Sequence, residues 1–213
     1  MTYGELKQRA LQLAFSCSLA GTEIPETYNT QADYLAMIPG LVNAAQMQIA
    51  SRELRIPRVR SVSELAHERV GDWEVYSLPE DCWQLMSGGL LNISRDGFRN
   101  GVRERYAGFR IGLGKKLYLP TGFPAENYLL EYWRYPLRVT ADTPDETELD
   151  NEPEAQECLP YYVAYGILLY DDPYRAQNFR AEFETRVSRL REQLWLEEEP
   201  VRDVYHSDAA SCP

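Results

Sequence analysis

Phe179, Phe183, Val187, Leu190 and Leu194 recur at steps of four, four, three and four. Only a helical period places such residues on one stripe, so the pattern predicts an amphipathic helix that must lie against other apolar elements. The segment in front of it, YYVAYGILLYDDPYRAQNF (161–179), is an apolar, aromatic run that stops at two aspartates and a proline. It reads as the elbow of a helical hairpin. Tyr161, Tyr165, Leu168 and Leu169 form the expected buried face of the first helix. Asp172 is the expected cap of the second, because its carboxylate can accept from exposed N–H groups and Pro173 suits the first helical position. Tyr162, Tyr170 and Tyr174 fall outside that face.

The N-terminal part has the same period. Leu6, Ala10, Leu13 and Ala14 define one helix face within residues 3–17, and GTEIPETYNTQ after it reads as a loop. A second helical pattern spans Ala32 to Glu53, with Tyr34, Ile38, Leu41, Ala45 and Ile49 on its stripe. Pro39 lies inside this pattern and is expected to open a new helix after a short turn.

Between about Pro57 and Thr140 the period changes to short runs rich in β-branched and aromatic residues, bounded by Gly, Pro, Asn and Asp. In FRIGLGKKLYLP, Gly112 and Gly114 permit a tight turn, so Phe109–Ile111 and Leu117–Leu119 are expected to pair. YLLEYWRYPLRV carries large apolar groups on both faces, as a strand covered on both sides does. Residues 142–157, DTPDETELDNEPEAQE, hold eight acids and no base and read as a solvated connector into a helix, with Glu152 to Glu157 at its positive end. The expected class is therefore α+β: a helical bundle of N- and C-terminal helices with an inserted antiparallel β region. The boundaries are 1–56 and 141–195 for the helical core, 57–140 for the insertion, and 196–213 for a C-terminal tail.

The formal net charge of -11 opposes non-specific wrapping of nucleic acid by the whole surface. No run approaches the roughly 20 apolar residues of a membrane span, and MTYGELKQRALQLAF is not patterned as a secretory signal. Cys17, Cys82, Cys158 and Cys212 are scattered without a CxxC pair; four cysteines allow two disulfides, but the expectation is reduced thiols in a cytosolic protein. The two histidines, His67 and His206, sit in unlike contexts that give no catalytic or zinc spacing. GFRIGLGKK fails as a phosphate loop, because Phe109 stands where the first glycine belongs and Lys116 where the hydroxyl belongs. The acidic connector lacks the turn glycine of a calcium loop. No catalytic, metal-binding or cofactor-binding residue is therefore expected.

Arg99, Arg103, Arg105, Arg110, Lys115 and Lys116 make the β region locally basic, and Arg52, Arg55, Arg58 and Arg60 form a second run. Direct nucleic-acid binding is one reading, but no nucleic-acid-binding fold signature accompanies the charges. The favoured reading pairs this basic centre with acidic faces of identical neighbours.

Three segments, in order, resemble the head-to-tail adaptor (connector, or head-completion) proteins of tailed bacteriophages. They are DYLAMIPGLVNAAQMQIASREL, then SLPEDCWQLMSG, then the long run from LEYWRYPLRV through the acidic connector to YGILLYDDPYRAQNFRAEFE. The resemblance implies a ring, usually a dodecamer, docked beneath the portal protein. Such a ring continues the channel for double-stranded DNA toward a downstream tail, tail-tube or nozzle protein. It implies no cofactor, no membrane partner and no catalytic residue, and a C-terminal segment that docks on the portal. Arg99, Arg103, Arg105, Arg110, Tyr162, Tyr170, Tyr174, Trp195, Val201 and Tyr205 are the candidates for subunit or portal contacts. Two other classes stay open on the sequence. One is an enzyme with a site assembled from dispersed carboxylates such as Asp72, Glu74 and Glu131; the other is a cytosolic protein-binding module.

Overall fold

A computed structural model describes residues 1–15, 31–51, 54–99 and 102–197. The helical stretches at the two ends pack together, and the β region lies between them in sequence, which is the α+β arrangement expected. Helix α1 (Tyr3–Phe15) buries Tyr3, Leu6, Ala10 and Ala14, one helical stripe. Leu13 is only half-buried. The loop expected from Gly21 to Gln31 lies almost wholly outside the described residues.

Helix α2 (Gln31–Ser51) runs through Pro39 without a break, so the turn expected there does not form. A proline inside a helix leaves the carbonyl four residues earlier without its donor. Here that carbonyl belongs to Leu35, whose side chain is 41% exposed, so water can reach this side of the helix. Tyr34 and Ile38 before the proline and Val42, Ala45 and Ile49 after it are all fully buried on one stripe. Burying that stripe whole outweighs a cost of about 3 kcal/mol for the lost bond. Val42 rather than Leu41 holds the inward position, and Leu41 packs instead against Gly166, where a Cβ would come within 3.0 Å of the Leu41 Cγ.

The β region contains two antiparallel sheets. In the first, β11 (Tyr128–Arg134) is central: β1 (Ile56–Ser61) pairs along one edge, while β4 (Cys82–Leu85) and β5 (Leu90–Asn92) share the other. Strand β8 (Arg105–Tyr106) extends β5. The second sheet has the order β2 (His67–Val70), β3 (Trp73–Ser77), β10 (Lys116–Pro120), β9 (Arg110–Gly112). Two-residue strands β6 (Phe98–Arg99) and β7 (Val102–Arg103) form a separate ladder. The expected hairpin is present, with Leu117 opposite Ile111. Its three-residue turn uses Gly114 at φ 72° and Lys115 at φ 58°. The strained Lys115 is held by its Nζ, which donates to the carbonyls of Glu80 (2.9 Å) and Cys82 (2.7 Å). Tyr76, Leu90, Leu117, Leu119, Leu130 and Tyr132 supply a second core between the sheets.

The chain returns to the helices through Tyr135–Thr140 and the acidic connector. That connector is tied down rather than merely solvated. Tyr3 and Gly4 donate backbone N–H groups to the carbonyls of Thr147 (2.8 Å) and Asp145 (2.9 Å), and Lys7 pairs with the Asp145 carboxylate. Leu149 and Asn151 are buried. A single turn, α3 (Pro153–Gln156), then leads into α4 (Leu159–Leu168) and α5 (Pro173–Glu197).

Helix α4 packs against α1, α2 and α5 at once. Leu159, Val163, Ala164, Gly166, Ile167 and Leu168 fill its buried positions, which differs from the tyrosine-led face expected. Surrounded on three sides, α4 admits small and aliphatic groups inside, whereas tyrosines need water or a partner for their hydroxyls and move to the margin. Tyr161 and Tyr165 lie half-buried in the seam with α5, under the guanidinium groups of Arg186 (4.3 Å) and Arg180 (5.5 Å). Helix α5 presents Ala176, Phe183 and Val187 to the core with Phe179 and Leu190 beside them, as the period predicts. Asp172 caps it, its Oδ1 accepting from the Arg175 N–H at 3.1 Å.

Phe183 is fully buried, so Phe183→Ala should lower unfolding free energy by about 3–5 kcal/mol. Asp172→Ala should cost about 1 kcal/mol as a lost cap. Urea denaturation of both variants checks the hairpin; equal and negligible shifts would contradict it.

Candidate functional site

The residues proposed for contacts divide by what their own chain already does with them. Arg105 on β8 reaches across β5 to Glu131 on β11 at 2.6 Å and also donates to the Gly89 carbonyl at 3.4 Å. Arg103 donates to the Asn92 carbonyl at 3.3 Å. The Arg110 guanidinium stacks on Trp73 at 5.2 Å. Lys116 donates to the Ser77 hydroxyl at 2.9 Å. In the second basic run, Arg58 pairs with Asp81 at 3.4 Å, and Arg55 donates to Gln84 at 2.9 Å and stacks on Trp83. The basic centre is therefore bound largely within the subunit, through cross-strand geometry that the sequence does not display. Arg99 lies on β6, Arg52 falls among the residues not described, and Arg60 is exposed on β1.

The tyrosines separate in the same way. Tyr162 packs edge-on against Phe183 (5.1 Å) and Tyr165 (5.7 Å) in the α4–α5 seam. Tyr170 and Tyr174, at the elbow, are each 79% exposed. Below them Tyr34 donates its buried hydroxyl to Asp171 at 2.5 Å, which fixes the elbow to α2. Trp195 belongs to the last turns of α5. Val201, Tyr205 and the rest of the tail lie outside the described residues.

The carboxylates considered for catalysis do not form one site. Glu74 is on β3 and Glu131 on β11, in different sheets, and Asp72 lies in the turn before β3. Glu74 accepts from the Tyr76 hydroxyl (2.9 Å) and from the Gly122 N–H (3.3 Å). These hydrogen bonds, the Tyr76 one foremost, hold its carboxyl below the usual range. His67 stacks on Tyr76 at 4.9 Å, and His206 is outside the described residues. Among the described residues no three His, Cys, Asp or Glu side chains gather as metal ligands. Cys82 and Cys158 are free and buried. Burial raises both thiols, Cys158 to about 11, so neither is poised as a nucleophile.

One surface was missed by the sequence reading. A groove of about 500 Å³ lies between the outer side of α2 and the returning segment, lined by Asn43, Gln46, Met47, Tyr135, Leu137 and Arg138 among others. Asn43 pins the segment: its Nδ2 donates to the Val139 carbonyl at 2.8 Å and its Oδ1 accepts the Val139 N–H at 2.9 Å. Gln46 is fully buried and donates from Nε2 to the Leu137 carbonyl at 3.1 Å. Its Oε1 has no hydrogen-bond partner among the described residues. The available signal was a polar Gln46 beside Ala45 on the apolar stripe of α2.

The fold is thus an α+β chain with two cores whose basic side chains are mostly engaged within it, and its described carboxylates and thiols are spread over the scaffold rather than gathered in one site. The chain matches the SU10 adaptor protein family over residues 1–205. It belongs to that family, a tailed-phage head-to-tail adaptor family, and so is a virion structural protein and not an enzyme. Membership implies, in general terms, an oligomeric assembly that interacts with the portal. No curated protein matches the chain, and among the described residues no helix is long and apolar enough to cross a membrane.

Burial, and then the bond to Glu74, pushes the Tyr76 phenol up to about 12. A tyrosine in the unfolded chain titrates near 10. The neutral phenol is thus favoured by folding: its contribution is complete below about pH 10 and disappears as pH rises through about 12. Glu74 works on the acid side, where its contribution disappears as pH falls through its depressed value. Tyr76→Phe should flatten both flanks of the urea midpoint plotted against pH, and a profile identical to wild type would contradict the pairing.

Proposed function

We propose that this protein is the subunit of a dodecameric adaptor ring that docks under the portal and extends the DNA channel toward the tail. The family match over residues 1–205 carries the reading. In it, residues 1–56 and 141–195 build the helical core of the ring, and 57–140 form an insertion facing neighbouring subunits and the next tail component, a tail-tube or nozzle protein. The protein is made in the host cytoplasm and ends in the virion at the head–tail junction.

Electrostatics support this use. DNA that must slide through a channel is poorly served by a dense row of free cations, because each phosphate neutralised adds counterion-release affinity. The chain has a net charge of -11, and the basic side chains of its β region are largely engaged by carboxylates, carbonyls and aromatic rings of the same subunit. The double-stranded DNA in this reading passes through the lumen without sequence-specific contacts.

Electron microscopy of the protein mixed with its portal tests the proposal. Rings stacked coaxially on the portal are expected; particles that remain monomeric and unattached would overturn it. Portal docking is assigned to the tail beyond α5. A chain lacking residues 198–213 should keep its circular dichroism and urea midpoint but lose portal association, and unimpaired association would remove the tail from that role.

A further inference from the structure

We infer that the α4–α5 elbow of one subunit, through Tyr170 and Tyr174, seats in the groove between α2 and Tyr135–Arg138 of the next. The inference rests on the ring reading and names the contact that would close it. Three features of the groove fit this occupant. Its wall is apolar, with Met47 36%, Tyr135 38% and Leu137 39% exposed at its mouth. Gln46, one of its lining residues, holds a buried acceptor, Oε1, that no group among the described residues satisfies. At its rim stands Arg138, exposed and without a carboxylate partner among the described residues.

The elbow offers the matching set. A tyrosine is an apolar ring with a hydroxyl donor at its end, the form that suits an apolar groove with one buried acceptor. Tyr170 and Tyr174 are the most exposed aromatic residues described, and the groove has room for more than one ring. Asp172, between them, has a side chain 39% exposed and caps α5 through Oδ1. Its Oδ2, with only a long 4.0 Å approach from Arg175, is the carboxylate oxygen offered to Arg138. Gln46 is fully buried, so reaching it requires the groove lining to give way, and the unbranched, partly exposed Met47 is the lining side chain most able to move.

A subunit's own elbow does not fill its own groove. The elbow is fastened to α2 at Tyr34, whereas Gln46 lies about 18 Å further along the same helix at 1.5 Å per residue. Knob and groove are different patches of one chain, so the contact is heterologous, and a heterologous contact that closes gives a ring.

The test places a benzophenone amino acid at position 170 of the full-length chain. Isotopically heavy and light subunits are mixed, assembled with the portal, irradiated and mapped by mass spectrometry. Expected are heavy–light cross-links into residues 40–47 or 135–138. In parallel, the double variant Tyr170→Ala/Tyr174→Ala and the single variant Arg138→Glu should each raise the concentration needed for half-assembly by about tenfold or more. Their folded state is checked by the urea midpoint, which these exposed positions should leave unchanged. Intact rings whose cross-links fall elsewhere, or variants that assemble as wild type does, overturn the groove contact and leave the ring standing. Subunits that never form rings overturn the ring reading and the contact with it.

Discussion

Asn43 exchanges two hydrogen bonds with the backbone of Val139, and Gln46 donates to Leu137 one helical turn further on. Between β11 and α3 the chain has no regular ladder, so its backbone groups must find partners by other means. Side-chain amides on α2 provide them, standing in for a neighbouring strand. Asp150 completes the fastening: its carboxylate accepts the Leu137 N–H at 3.1 Å and pairs with Arg134 at 2.5 Å. Arg134 and Asp150 are 16% and 19% exposed, so the pair is shielded and worth more than a surface pair. This fastening relates the two cores, because the segment it holds leaves the β region at one end and enters the helical core at Val139.

The helical core then depends on α4. With α1, α2 and α5 around it, α4 has little face left for water, and its composition follows from that. Gly166 lets the Leu41 side chain of α2 lie directly on the α4 backbone. The seam with α5 is closed differently, by Tyr161, Tyr162 and Tyr165 against Phe183 and two arginines. These tyrosines are aromatic cover for a buried helix, which separates them physically from Tyr170 and Tyr174 at the elbow and the start of α5.

Features that depend on local period were legible in the sequence. The stripe of α5, the cap at Asp172, the β9–β10 hairpin and the order of helices and strands follow from spacing and turn chemistry. Features that depend on what surrounds an element were not. The pattern points to tyrosines on the inward face of α4 because one dimension cannot count the helices that will pack on it. Pro39 reads as a turn because local propensity ignores the stripe that makes an unbroken α2 worth its lost hydrogen bond. The acidic run reads as solvated in sequence because its contacts, to Tyr3, Gly4 and Lys7, lie far away along the chain.

The same distinction governs the surface. In sequence, Arg103, Arg105 and Arg110 read as a patch awaiting a partner; in the fold each already has one, and Arg105 is answered by Glu131 two strands away. The count of basic residues therefore overstates how much positive charge the subunit presents for recognition. Among the described residues, the groove beside α2 with the Gln46 amide oxygen and Arg138 at its rim, and the exposed Tyr170 and Tyr174 at the elbow, are the features left for recognition that the inferred contact uses. A buried acceptor without a donor is costly within the isolated subunit. In the contact inferred above, a tyrosine hydroxyl from the neighbouring elbow supplies that donor, which favours the assembled subunit over the lone one. For an adaptor, which acts by assembling, that sign of the effect is the useful one.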